Sequence, residues 1–287
     1  MKMRQALRAH AAALTQPLLE RASRAYVPGP RLDDAMSWVP RLRAQGLHLT
    51  LGYFNADAEP VSQVLAADLA AIDALARAGL ASSHLSVKAP ALDHDGLALR
   101  RLAAHAAEAG QALHFDAHGP QTAQPTLEAA QAVRGVLPSA GVTLPGRWRR
   151  SLRDAADAGL DGLRVRVVKG QWACPEAPDQ DPRMGFLSVI DRLAGRRAPV
   201  AVATHDPGLA RAALQRLQYA GTPCEVELLC GLPRAPVLAL AREHGVPARL
   251  YLPFGQAWLP YAFGQVVRRP RLWGRLLLDA LQGARAT

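Results

Sequence analysis

The chain has 287 residues, 49% hydrophobic and 20% charged, which is enough for one large core or two small ones. No Ser/Gly linker or charge block divides it, so a single domain over 1–287 is expected, with helices over 1–45 and the main body over 46–287. The formal net charge is +10, but the arginines are scattered, aromatic residues make up 5%, and no nucleic-acid motif appears, so nucleic acid is excluded as a partner.

The N-terminal stretch MKMRQALRAHAAALTQPLLERASRAYVPGP has a charged start but no unbroken apolar segment, and reads as an amphipathic helix rather than a signal peptide. Short β-rich runs then alternate with longer helical ones. The strands are expected at 47–53, 84–89, 112–118, 141–146, 163–170, 199–205, 224–230 and 248–255. Between the first two, Val61, Val64, Leu65, Leu69, Ile72 and Leu75 recur at helical spacing. DGLALRRLAAHAAEAG, TLEAAQAVRGVL, SLRDAADAG, GFLSVIDRLAG, PGLARAALQRLQYAG and APVLALAREHG follow the same habit, and several end on glycine. Eight strands alternating with eight helices predict an α/β fold, a (β/α)8 TIM-type barrel. An open doubly wound sheet is the runner-up, and the chain has no GxGxxG or GxxxxGK turn to favour it.

Cys174, Cys224 and Cys230 have no CxxC spacing, which reads as free thiols in a reducing, cytoplasmic setting. No apolar run of about 18 residues offers a membrane span. The terminal run RRPRLWGRLLLDALQG clusters arginine beside Trp273 and Leu276–Leu278. Two readings stand for it: a peripheral contact with the inner face of a membrane, or a last helix packing on the barrel.

In a barrel of this kind, active-site residues close the strands at the C-terminal face. Those residues are Lys88, Asp116, His118, Pro145, Arg166, Lys169, Thr204, His205, Asp206, Glu227 and Tyr251. Only three lysines occur among 34 Lys plus Arg, and two of them, Lys88 and Lys169, are on this set. Such charges cost several kcal/mol each if buried alone, so they must pair with one another or with a ligand. Three constellations follow. His114, Asp116 and His118 alternate on one strand face, which with His205 and Asp206 admits a metal-dependent hydrolase. Asp206 before Pro207 reads either as a site residue or as a helix N-cap. In YLPFGQAWLPYAFGQVVRRP, Trp258, Tyr261 and Gln265 fall on neighbouring turns, forming a ligand-pocket wall or a packed cap.

Taken together, the segments resemble the flavin-dependent proline dehydrogenase family in its short bacterial form. SVK at 86–88, FDAH at 115–118, RVVKGQW at 166–172, ATHD at 203–206, CEVELLCG at 224–231 and YLPFGQAWLPY at 251–261 occur in the family's order. The resemblance implies FAD held at the barrel mouth beneath the last helix, hydride transfer from a carbon next to a ring nitrogen to FAD, and a quinone or other electron acceptor. It places Arg166, Val168, Lys169, Gly170, Trp172, Thr204, His205, Asp206 and Glu227 at the cofactor. It places Lys88, Asp116, Tyr251, Tyr261, Gly264, Gln265 and Arg268 at the substrate, with Lys88, Asp116 and Arg166 as the catalytic set.

The departures point to the substrate. Where the family carries two adjacent arginines for the substrate carboxylate, this chain has Gly264 and Gln265. Losing two such charge-assisted contacts weakens binding of free proline by about 10²- to 10⁴-fold. Pro145 and Glu227 stand where the family has glutamines, and Cys230 where it has a tyrosine. The expected function is therefore oxidation of a cyclic amine without a free carboxylate. The alternatives are ordinary L-proline oxidation to 1-pyrroline-5-carboxylate with Arg268 standing in, a non-catalytic binding barrel, and the metal hydrolase.

Overall fold

The computed structural model describes residues 28–80 and 82–255. Two short helices, α1 (Leu32–Met36) and α2 (Val39–Ala44), lead into β1 (His48–Tyr53). Then follow α3 (Val61–Arg77), β2 (His84–Val87), α4 (Gly96–Glu108), β3 (Ala112–Phe115), α5 (Ala123–Val133) and β4 (Gly141–Pro145). The second half runs α6 (Arg150–Asp154), β5 (Arg164–Val168), α7 (Pro182–Leu193), β6 (Val200–Ala203), α8 (Pro207–Tyr219), β7 (Cys224–Leu229), α9 (Ala235–Glu243) and β8 (Ala248–Phe254).

The eight strands close into one parallel barrel in sequence order, with β1 paired to β8 from His48↔Arg249 to Tyr53↔Phe254. All eight expected strands are present, each shorter at one end or both, so Lys88, Asp116, Lys169 and Gly170 lie just past strand ends. One expected helix is much shorter. SLRDAADAG gives only α6, because Asp157 accepts a hydrogen bond from the Gly159 backbone N–H (2.8 Å) and starts a separate 3-10 turn over Ala158–Leu160. The eighth helix, and the Tyr261, Gly264, Gln265 and Arg268 readings with it, lie outside the described residues, as do residues 1–27.

Each strand's period of two sorts its side chains. Leu49, Leu51, Leu85, Val87, Leu113, Phe115, Val142, Val165, Val167, Val200, Val202, Leu250 and Leu252 are buried in one continuous apolar core with the helices. Their alternates fill the lumen, and most of these are polar. Thr50, Ser86, His114, Thr143, Arg164, Arg166, Glu225, Glu227 and Arg249 are all at least nine-tenths buried. A barrel interior ordinarily holds layers of bulky branched residues. Here apolar packing lies mainly between sheet and helices, and the lumen is held largely by charge.

No helix among the described residues is long and apolar enough to cross a membrane. Among the described residues, Cys174, Cys224 and Cys230 form no disulfide.

Candidate active site at the barrel mouth

The lumen charges alternate in sign along a connected path. Arg249 Nε donates to Glu225 Oε1 (3.1 Å), which also accepts from Arg164 Nε (2.8 Å). Arg164 Nη2 donates to Glu227 Oε2 (2.6 Å). Glu227 takes Arg166 at both oxygens, Nε to Oε2 (2.9 Å) and Nη2 to Oε1 (2.6 Å). Arg166 Nη1 donates to Asp116 Oδ1 (2.6 Å), and Lys88 Nζ stands 3.8 Å from Asp116 Oδ2. The path begins and ends on a cation, with four cations and three carboxylates in all. Thr50 Oγ1 completes the Glu227 shell at 3.0 Å.

Burial alone would raise the Glu227 carboxyl, but the Arg166 and Arg164 guanidiniums outweigh it and hold Glu227 well below the usual carboxylate range. Asp116 is likewise held low, by Arg166 and then Lys88 against the cost of burial. Burial, then Arg166 and Arg164, push the His114 imidazole well below its ordinary value, so it is neutral. That neutral ring lies 2.9 Å from Arg164 Nη1 at Nδ1 and 3.0 Å from Thr143 Oγ1 at Nε2.

The upper end of the path forms the cleft floor. Tyr251 donates its hydroxyl to Asp116 Oδ2 (3.0 Å), and Ser86 Oγ donates to Oδ1 (2.6 Å). Burial, then Asp116, raise the Tyr251 phenol well above its ordinary value, so it remains a donor. Its ring lies edge-on to Phe54 and 5.3 Å from the Arg166 guanidinium. Lys88 Nζ donates to the Tyr53 carbonyl (2.5 Å) and sits 4.1 Å over the Phe54 ring. Burial lowers the Lys88 ammonium, with Asp116 and Asp68 opposing. Thus Lys88, Asp116, Arg166, Glu227 and Tyr251 do come together.

The remaining sequence candidates divide. Glu227, expected at the cofactor, is 3% exposed and lies beneath Arg166, which donates to both its oxygens. Pro145 carries the α6 start, accepting from Ser151 Oγ (2.7 Å). Gly170 has φ +94°, a left-handed turn that glycine favours, and packs back on Pro145 and Arg147. Val168 ends β5 between Pro145 and Ala203. Lys169 accepts the Arg147 N–H at its carbonyl (3.0 Å). Trp172 is half-exposed and stacks on His118 at 5.9 Å. Thr204 Oγ1 accepts from the Asp206 N–H (3.2 Å). Asp206 Oδ1 accepts from the Leu209 N–H (3.1 Å), which makes it the N-cap of α8. It also pairs with Arg183 of α7. His205 lies between backbone groups, with Nδ1 2.8 Å from the Pro233 carbonyl and Nε2 3.0 Å from the Leu229 N–H. The metal reading gathers nothing here: among the described residues no three His, Cys, Asp or Glu side chains converge as ligands.

Sequence reasoning missed the lower half of the path, namely Arg164, Glu225 and Arg249. Their signal was present: each lies two residues before a recognised one, so it shares that residue's strand face. It also missed Asp68, a carboxylate set in the buried stripe Val64–Ala71–Ile72–Leu75 of α3. Burial pushes its carboxyl up to about 7, against the pull of Lys88.

No family model matches the chain. Proline dehydrogenase 1 of Bacillus subtilis is 27% identical over 266 residues, covering 86% of this chain and 87% of that protein. Proline dehydrogenase of Deinococcus radiodurans is 27% identical over 282 residues, covering 90% and 89%. Among solved structures, proline utilization A from Bdellovibrio bacteriovorus, inactivated by N-propargylglycine, aligns over 90% of this chain with a TM-score of 0.72 and 17% identity. Proline utilization A from Corynebacterium freiburgense aligns over 93% with a TM-score of 0.70 and 18% identity. The chain spans about a third of those two proteins, 33% of each, and the likeness to them is one of fold. The sequence relatives match nearly end to end, and Lys88, Asp116, Arg166 and Tyr251 meet at one cleft floor. Over most of its length this chain is therefore similar to proline dehydrogenases, and it carries Gly264 and Gln265 where the family it resembles has the arginine pair.

Proposed function

We propose that the protein is an FAD-dependent oxidoreductase acting on a CH–NH donor, and that the donor is a cyclic secondary amine whose carboxylate is absent or masked as an ester, amide or thioester. The residues at the mouth fit an anionic flavin nucleotide on two counts. The buried path carries one more cation than carboxylate, and Trp172 leaves part of its ring open beside the Gly170 turn. Arg166, Val168, Lys169, Gly170, Trp172 and Thr204 would hold the group. His205 and Asp206 would support its loop, and Glu227 would act through Arg166. Bound FAD would supply the hydride acceptor, and a quinone-type acceptor would reoxidise it.

The protein's own residues then do the following. Arg166, fixed by Glu227 and Asp116, keeps positive charge under the site where negative charge develops. Tyr251 and Phe54 give the ring of the amine an apolar wall. Lys88, 3.8 Å from Asp116, keeps a second cation at the floor, which favours the neutral free-base form of the bound amine, the form whose carbon yields hydride. The amine leaves as an imine.

The observation that carries the substrate reading is the state of the floor cations. Lys88 is held by the Tyr53 carbonyl, the Phe54 ring and Asp116, and Arg166 by Glu227 and Asp116. A free carboxylate would have to compete with carboxylates already in place. The test is reduction of the FAD-loaded protein by L-proline, L-proline methyl ester and pyrrolidine. The expected result is a kcat/KM for the ester or pyrrolidine at least about tenfold above that for L-proline. An L-proline value equal to or above the other two would overturn the substrate reading and return the protein to ordinary proline oxidation.

A further inference from the structure

We propose that Arg164 and Glu227 form one buried electrostatic unit that fixes the net positive charge presented at the mouth by Arg166 and Lys88. Arg164 is then a positioning residue, acting through Glu227 and Arg166 on whatever binds above them.

The geometry leads to this directly. A carboxylate at 227 with Arg166 as its only partner would cancel Arg166, leaving the mouth with Lys88 set against Asp116. Arg164 removes that cancellation by sharing the Glu227 carboxylate from below, Nη2 to Oε2 at 2.6 Å. Arg164 is itself anchored by Glu225 and by the His114 ring (2.9 Å). Both groups are nearly sealed from water, with side chains 8% and 2% exposed, so solvent does little to screen their effect on the mouth. Removing Arg164 leaves three cations on three carboxylates. Removing the Glu227 charge leaves four on two. Removing both restores an excess of one.

Two readouts test this, and only one depends on the flavin reading of the site. The first is the midpoint potential of FAD bound to the full-length protein. Glu227→Gln should shift the reduced-to-oxidised equilibrium toward reduced flavin by about tenfold, which is about 30 mV for a two-electron couple. Arg164→Met should shift it the other way, and R164M/E227Q should return close to wild type. The second readout needs no flavin. The chain has three lysines, so ¹⁵N-lysine labelling gives at most three side-chain signals, and a K88M variant assigns that of Lys88. Lys88 is faced by Asp116 and His118 after β3, Asp68 on α3, Tyr53 on β1 and Arg166 on β5. None of these is altered by the variants. The Lys88 titration midpoint should rise in R164M, fall in E227Q and cancel in the double variant.

If R164M does not fold, E227Q is compared with the double variant, whose midpoint potential and Lys88 titration must move back toward wild type. Shifts of the same sign in both single variants, or a double variant displaced from wild type as far as either single one, would overturn the unit. A wild-type protein that takes up no FAD but shows opposed Lys88 shifts would sink the flavin reading and leave the unit standing.

Discussion

Glu227 shows what a single buried carboxylate does here. It satisfies two guanidiniums and the Thr50 hydroxyl. Truncation to alanine leaves two buried cations short of an acceptor and should destabilise the fold by about 3–5 kcal/mol. Glutamine, which keeps the volume and one acceptor, should cost less. Denaturant midpoints of the two variants decide this, and an alanine variant within about 1 kcal/mol of wild type would refute the role. Asp68 gives the opposite sign. Its folded-state value of about 7 lies above its ordinary 3.8, so the native state binds the proton more tightly than the unfolded chain. The stability this contributes is fully present below about pH 4 and is lost as pH rises through about 7. Asp68→Asn should flatten that slope, matching wild type near pH 4 and exceeding it near pH 8 by up to about 4 kcal/mol. A variant that tracks wild type across the whole range would show that Asp68 is not held neutral.

At the scale of elements, strand positions matter through what they let pass. Gly52 on β1 has no side chain, and the Tyr251 hydroxyl of β8 occupies the space a Cβ would take. Gly52→Ala should therefore displace the Tyr251 ring and break its bond to Asp116. Near-complete loss of flavin reduction by substrate is expected, with FAD affinity changed far less. Equal loss of both would place Tyr251 at the cofactor instead. Asp206 tests the junction after β6. As the α8 N-cap its loss to alanine should cost about 1 kcal/mol, plus whatever its pair with Arg183 adds. If D206A also leaves FAD affinity unchanged, capping is its whole part, and a direct cofactor role is ruled out.

At the scale of the whole molecule, the charge path ties β2, β3, β5, β7 and β8 together across the lumen, where another barrel would use packed aliphatics. Asp116, Glu225 and Glu227 all have folded-state values below their ordinary ones, because arginines outweigh burial. Their contribution is present above about pH 4 and is lost as pH falls through the depressed values. Unfolding should therefore be sharply acid-dependent below about pH 4, while salt near 1 M should shift the neutral-pH midpoint little, because the pairs are buried. A large salt effect on thermal unfolding at neutral pH would mean that the lumen is wet.

The sequence by itself determined the barrel. Strand runs with a period of two, helical runs at three- and four-residue spacing and glycine stops are local signals, and parallel closure is the compact way to bury every apolar strand face under helices. It also carried the resemblance to proline dehydrogenases and picked out the floor residues Lys88, Asp116, Arg166 and Tyr251, since strand ends converge at one face whatever the details of packing. Only the tertiary structure decided what those charges meet. Arg164 and Glu225 are 61 residues apart in the chain, and Glu227 and Thr50 are 177 apart. Whether a carboxylate at 227 cancels the mouth or is itself neutralised depends on a partner that closure of the barrel brings beside it. Ion pairing depends on distance in space, and a strand pattern fixes only which face a side chain is on.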